Sequence, residues 1–143
     1  MPSDDEPQII GDFLVVPPFP KAEWTIDDFE LLHRLGSGNY GAVFLASVRN
    51  CNMVVAIKRL EIAKLIEYDI IGQLRREIEI AFHCRHKYLL RTYTYFFDDK
   101  FVYLVMEPCS NGMLYSELNK VKKYAPPTAA RYVAQLAEAL MYL

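Results

Sequence analysis

The chain has 143 residues, 52% of them hydrophobic, which supports one domain-sized core and excludes both wholesale disorder and a second full domain. Its 16 basic and 18 acidic residues leave a formal charge of -2, so no electrostatic drive towards nucleic acid or an anionic membrane is expected. No apolar run reaches the roughly 18 residues of a membrane helix, and the acidic start at Asp4, Asp5 and Glu6 is unlike a secretory signal.

Residues 1–23 read as a disordered or extended tail, because Pro2, Pro7, Pro17, Pro18 and Pro20 interrupt any regular ladder. The apolar run 13–16 inside it reads as an extended segment resting on the domain surface. From Trp24 the composition changes. Short β-rich runs follow at 29–35, 42–48 and 53–60, with a turn at 50–52. Two more strands are predicted at 89–97 and 101–106, joined by the polar turn Asp98, Asp99 and Lys100.

A helix is predicted over 70–84, where Ile71, Leu74, Ile78, Ala81 and Phe82 form an apolar stripe. Two helices close the chain, at 113–121 and at 128–143, the second introduced by Pro126 and Pro127. Ala129, Val133, Leu136, Ala137 and Leu140 give that last helix an apolar side. It ends without Gly, Asn or a basic last turn, which reads as a sequence cut within a helix. The expected class is α+β, with three strands, a helix, two strands and then helices.

Three of the six glycines fall in Gly36-Ser37-Gly38-Asn39-Tyr40-Gly41. Glycines bring backbone N–H groups close to a ligand, so such a loop can cover phosphates; an ordinary hairpin turn is the alternative, but three glycines in six residues is more than it needs. A dinucleotide-binding loop opens a helix, whereas here the β-prone Ala42-Val43-Phe44-Leu45-Ala46 follows. A P-loop is excluded because no Gly-Lys-Ser/Thr occurs. The loop therefore joins two strands as a flap. Lys58 ends Val55-Ala56-Ile57-Lys58, two residues beyond Ala56 and hence on the same side of the strand. A solvated outer-face lysine is the usual outcome for a single strand lysine. Val43 and Ala56 can nevertheless share one face as a small dry surface for a flat base, with Lys58 beside the phosphates. Glu77, nineteen residues on and at the edge of the helix stripe, is the candidate anion for Lys58: a lone helix glutamate is normally solvated, but together with the flap and Lys58 an ion pair between the two is expected.

Glycine flap, V-A-I-K, helix glutamate and Met106-Glu107-Pro108-Cys109 together resemble the small lobe of a eukaryotic protein kinase. The lead-in from Trp24 to Glu30, the helix Gln73-Leu74-Arg75-Arg76-Glu77-Ile78-Glu79-Ile80 and Val102-Tyr103-Leu104-Val105-Met106-Glu107 are similar to the Aurora serine/threonine kinases. The resemblance implies an N-lobe over 24–106, a five-stranded antiparallel sheet plus one regulatory helix. It implies a hinge over 107–112 and the truncated start of a helical C-lobe over 113–143. It implies ATP as ligand. Gly36, Ser37, Gly38, Asn39, Tyr40 and Gly41 would form the flap, with Tyr40 at its tip. Leu35, Val43 and Ala56 would hold the adenine, and Lys58 the α- and β-phosphates. Glu77 would orient Lys58, and Met106 would be the gatekeeper. The Glu107 carbonyl and the Cys109 N–H would meet the adenine edge.

The same resemblance implies a protein substrate, an activator peptide at the N-lobe surface as a candidate partner, and a place in cytoplasm and nucleus, at spindle or centrosome. The family's H-R-D-x-x-x-x-N and D-F-G motifs do not occur in these 143 residues. Mg²⁺ is therefore expected only with large-lobe ligands, and the chain alone is expected to transfer no phosphate. The alternative is a non-catalytic small-lobe module that binds nucleotide weakly or holds a regulatory peptide. Departures from the family pattern include Arg85-His86-Lys87-Tyr88 after the helix, and Thr92 and Ala81 in its packing column. Cys51, Cys84 and Cys109 form no C-x-x-C pair, and His83 and His86 lack further ligands nearby, so no metal site or disulfide framework is expected and a reducing compartment fits best.

Overall fold

A computed structural model describes residues 23–51 and 53–143, and the backbone of 8–10 and 13–15. Within the tail, β1 (Gln8–Ile10) and β2 (Phe13–Val15) pair antiparallel, with Ile9 opposite Leu14. The five prolines of the tail, and with them most of the expected extended segment, lie outside the described residues. After a single 3₁₀ turn (Ile26–Asp28) come β3 (Phe29–Ser37), β4 (Gly41–Val48), β5 (Val54–Glu61), α1 (Ile62–Glu67) and α2 (Ile71–His83). β6 (Thr92–Phe97), β7 (Phe101–Met106), α3 (Leu114–Val121) and α4 (Pro126–Tyr142) complete the chain. The five longer strands form one antiparallel sheet in the order β3-β4-β5-β7-β6.

One strand start, one helix start and one added helix stand out against the sequence expectation; the other boundaries move by one or two residues. β6 starts at Thr92 because the residues before it bond elsewhere: the Leu89 N–H closes a turn on the His86 carbonyl, and the Arg91 N–H goes to the Glu107 carboxylate. α4 starts at Pro126, two residues early, since its first-turn N–H groups need no helical partner and proline costs nothing there. α1 is an addition. Its six residues bury only Leu65, too short a stretch for a helical period to show.

Strand alternation splits the core in two. One face of the sheet carries Ala46, Val48, Val55, Ile57, Phe96, Tyr103 and Val105, closed by Phe29. Here Phe29 stacks on Phe96 at 5.7 Å and Phe96 on Tyr103 at 4.8 Å between ring centroids. The other face carries Leu60, Tyr95, Val102 and Leu104, onto which α2 lays Leu74, Ile78 and Phe82. Those three recur every fourth residue, so one helix stripe is buried at about 1.5–3 kcal/mol per side chain. Ile71 joins the edge of this cluster; Ala81 is half-buried.

The turn between β6 and β7 is organised by Asp98. Its Oδ1 accepts the N–H groups of Lys100 and Phe101 at 2.8 Å each, and its Oδ2 accepts the Tyr103 hydroxyl at 2.9 Å. Partial burial works against the charge, but the two backbone N–H donors and the Tyr103 hydroxyl outweigh it and hold the carboxyl below the usual aspartate range. A lowered folded-state pKa stabilises above the unfolded value and ceases to do so as pH falls through the folded value. Asp98→Ala removes three hydrogen bonds from an exposed, solvent-screened carboxylate. It is expected to cost about 1 kcal/mol at neutral pH and to flatten the acid limb of the stability profile, measured by urea unfolding across pH 2–7.

The α4 stripe predicted as apolar is exposed: Val133, Leu136 and Leu140 each keep more than 60% of their surface in contact with solvent. The helix docks by other residues. Ala139 is buried, the Tyr142 hydroxyl accepts the Arg85 N–H at 2.8 Å, and Glu138 pairs with Lys87 at 3.0 Å.

Candidate functional site

β3 and β4 meet in the glycine turn. Gly36 pairs with Val43 and Ser37 with Ala42, and the Gly38 N–H donates to the Gly41 carbonyl at 2.9 Å. The glycines have different reasons. A Cβ on Gly36 or Gly38 would meet nothing within 4 Å, whereas one on Gly41 would overlap the Arg59 carbonyl of the neighbouring strand. Gly41 thus serves close strand packing, and Gly36 and Gly38 leave open space beside their backbone. Asn39 sits exposed at the bend. Tyr40 follows in the turn, but its ring folds inward: it packs against the Leu60–Leu74 cluster and meets Tyr68 edge-on at 5.5 Å. Its carbonyl accepts the Glu61 N–H at 2.9 Å.

Strand register gathers the residues singled out from the sequence. Val43 faces Lys58, Leu45 faces Ala56, Ala56 faces Met106 and Lys58 faces Leu104. Cross-strand partners share a face, so Val43, Ala56, Lys58 and Met106 line one side of the sheet. Ala56 is small and only 5% exposed. Leu35 lies in the irregular step of β3 between Arg34 and Gly36 and is exposed at the rim. Thr92 is buried opposite Met106.

Lys58 opens into a cleft of about 190 Å³ between the sheet and the two helices. Its floor is Leu60, Leu65, Ile70 and Leu74; Tyr40, Gln73 and Glu77 share the polar rim with Lys58. Lys58 and Glu77 line one cleft, but the ion pair expected between them is absent. They do not form an ion pair within 4.0 Å; among the described residues the lysine ion pairs are Lys64–Glu61 and Lys87–Glu138. The Gln73 amide instead reaches Glu77 Oε1 at 3.4 Å, one helical turn away. Gln73, Leu65 and Ile70 were missed by the sequence reading. Gln73 had a usable signal, four residues before Glu77 on the same helix face.

After β7 the chain leaves the sheet through Glu107, Pro108 and Cys109. The Glu107 N–H donates to the Arg91 carbonyl at 2.9 Å. Among the described residues the Glu107 carbonyl and the Cys109 N–H take no backbone partner, which leaves an acceptor and a donor two residues apart beside Met106. No group of three or more His, Cys, Asp or Glu able to hold a metal occurs among the described residues, and no described helix is long and apolar enough to cross a membrane. His83 Nδ1 sits 2.7 Å from the Glu79 carbonyl, and His86 lies near Glu138 and Tyr142.

Because Gly36 and Gly38 leave room beside their backbone, Gly36→Ala and Gly38→Ala are expected to leave stability unchanged or raised by about 0.4–1 kcal/mol. Either substitution would fill the open space beside the turn, where phosphates are expected. Thermal unfolding checks the first expectation and nucleotide titration the second.

A five-stranded antiparallel sheet, a glycine turn above a strand lysine and one helix packed across the same face define a protein-kinase small lobe, followed here by the first helices of the large lobe. Residues 29–143 match the protein kinase domain family, and the chain belongs to it. Its small lobe is of the Aurora type. It is 46% identical over 119 residues to serine/threonine-protein kinase Aurora-1 of Arabidopsis thaliana, covering 83% of this chain and 40% of that protein. It is 45% identical over 123 residues to an Aurora kinase of Dictyostelium discoideum (86% of this chain, 32% of that one). For Aurora kinase A-A of Xenopus laevis the identity is 41% over 122 residues (85% and 30%). The chain thus spans about a third of the length of these relatives.

Proposed function

We propose that this chain is the ATP-holding part of an Aurora-like serine/threonine protein kinase, which moves the γ-phosphate of ATP to a protein hydroxyl. The observation that carries the reading is Lys58: a half-buried ammonium on the cleft face of the sheet, beside the glycine turn, with no carboxylate within 4.0 Å among the described residues. A cation held this way is suited to an anionic ligand. Val43, Ala56, Met106 and Leu35 would hold the flat base, and the Glu107 carbonyl and Cys109 N–H would meet its edge. The backbone of Gly36, Ser37, Gly38 and Asn39 would lie over the phosphates, with Gly41 fixing the turn. Bound ATP would supply the phosphoryl group, and Mg²⁺ would neutralise its charge through ligands of the family's H-R-D and D-F-G motifs, which these 143 residues do not contain.

The chemistry contributed by these residues is positioning and charge complementarity. Calorimetric titration is expected to show weak, saturable binding of ATP, weaker binding of adenosine, and none of tripolyphosphate alone. Binding of tripolyphosphate as strong as ATP would remove the adenine site. The 143 residues are expected to give no transfer of radiolabelled γ-phosphate to a generic serine substrate. For the whole protein we propose a protein substrate and an activator peptide on the small-lobe surface. We also propose a location in cytoplasm and nucleus, at spindle or centrosome, which imaging of the tagged protein tests.

A further inference from the structure

The step from β7 into the hinge is closed by a side chain. The ladder between β6 and β7 ends with Thr92 opposite Met106, after an irregular step between Thr92 and Thr94. One residue further, Arg91 and Glu107 exchange two hydrogen bonds. The Glu107 N–H donates to the Arg91 carbonyl at 2.9 Å, and the Arg91 N–H donates to Glu107 Oε1, also at 2.9 Å. In a regular antiparallel pair the second bond would go to the partner's backbone carbonyl. Here the Glu107 carboxylate takes that bond, and among the described residues the Glu107 carbonyl has no backbone partner. Pro108 follows, with no N–H to donate and a fixed φ of its own.

We infer that the Glu107 carboxylate is a positioning group: by taking the Arg91 N–H in place of its own carbonyl, it turns that carbonyl outwards to accept the 6-amino group of adenine. This rests on the ATP reading above. A backbone carbonyl in this place accepts any donor, so selectivity for a 6-amino purine depends on how firmly its peptide plane is held. Both atoms held by the clamp, the N–H and the carboxylate of Glu107, belong to the residue whose carbonyl is to be aimed. The clamp reaches back to the start of β6, so the hinge and the sheet edge hold one another. Asparagine in its place would be a carbon short, and alanine would free the Arg91 N–H to seek the Glu107 carbonyl.

The test uses the whole chain with Glu107→Ala and Glu107→Gln. Each is titrated with ATP and with purine riboside triphosphate, which lacks the 6-amino group. Amide hydrogen exchange at Arg91 is followed in parallel. In the wild type ATP is expected to bind about tenfold tighter than the analogue, the value of one well-placed hydrogen bond. Glu107→Ala is expected to erase that preference and deprotect the Arg91 amide, and Glu107→Gln, which keeps an acceptor oxygen, to retain both. Equal weakening of both nucleotides by Glu107→Ala would reduce Glu107 to a structural residue and overturn the inference, as would an unchanged preference. If the wild type binds neither nucleotide, the ATP reading falls and the aiming role with it. Arg91 exchange then still separates a clamp that exists from one that does not.

Discussion

Gly41→Ala is expected to destabilise the chain by about 3 kcal/mol or more, while the same change at Gly36 or Gly38 costs nothing. The difference lies in what a Cβ meets. At Gly41 it would overlap the Arg59 carbonyl oxygen and sit 2.8 Å from its carbon, both atoms of the adjacent strand backbone. Backbone cannot swing aside as a flexible side chain would. Relief requires β4 to part from β5 where Gly41 pairs with Leu60 and Ala42 with Arg59. That seam adjoins the Tyr40 carbonyl to Glu61 N–H bond and leads directly to Lys58 opposite Val43. Against a typical stability of about 5–15 kcal/mol, a loss of this size lowers the urea midpoint conspicuously. A Gly41→Ala chain unfolding at the wild-type midpoint would show that the strands are further apart than described. Nucleotide titration adds a second reading, because the three substitutions separate: loss of fold at Gly41, loss of ligand space at Gly36 and Gly38.

Much of this arrangement was legible in the residues because it depends on period two and on glycine. Alternation puts Val43 with Leu45 and Ala56 with Lys58, and the register of β4, β5 and β7 brings the two pairs onto one face. The α2 stripe was legible for the same kind of reason, with Leu74, Ile78 and Phe82 recurring at helical spacing. Features set by partners distant in sequence were not. The role of Gly41 depends on Arg59, which lies across a strand pair, so the pattern of three glycines looked uniform when it is not. The start of β6 depends on which acceptor the Arg91 N–H finds, and Glu107 is sixteen residues away. The inward fold of Tyr40 depends on Tyr68, carried by a link after α1 that no hydrophobic period announced. Asp69 in that link adopts a φ of 52°, a left-handed angle that aspartate tolerates better than most residues and that lets α1 give way to α2. The relation of Lys58 to Glu77 lies between these cases. Both line one cleft, but the Glu77 carboxylate has its hydrogen bond from Gln73, one turn before it, and no ion pair to Lys58.

Lys58→Met is expected to lower ATP affinity by roughly ten- to a hundredfold, the loss of a hydrogen bond from a charged donor, and to leave adenosine affinity unchanged. Methionine matches the lysine stem in length and stays apolar, and Lys58 has no ion pair among the described residues whose partner would be stranded. The fold is therefore expected to survive, with an unfolding midpoint near that of the wild type. The contrast between ATP and adenosine separates a phosphate contact from a general collapse of the cleft, since only the first depends on the ligand's charge. Raising ionic strength should weaken ATP binding to the wild type more than to Lys58→Met, because screening acts on the interaction the mutation has already removed. Equal loss of ATP and adenosine would make Lys58 a packing residue. Glu77→Gln is expected to change ATP affinity less than Lys58→Met does, since Glu77 stands apart from Lys58 and bonds to Gln73. Its effect should grow in a Gln73→Ala background. There the carboxylate is released from its helical neighbour and can turn across the cleft towards the ammonium, so the two substitutions should couple rather than add.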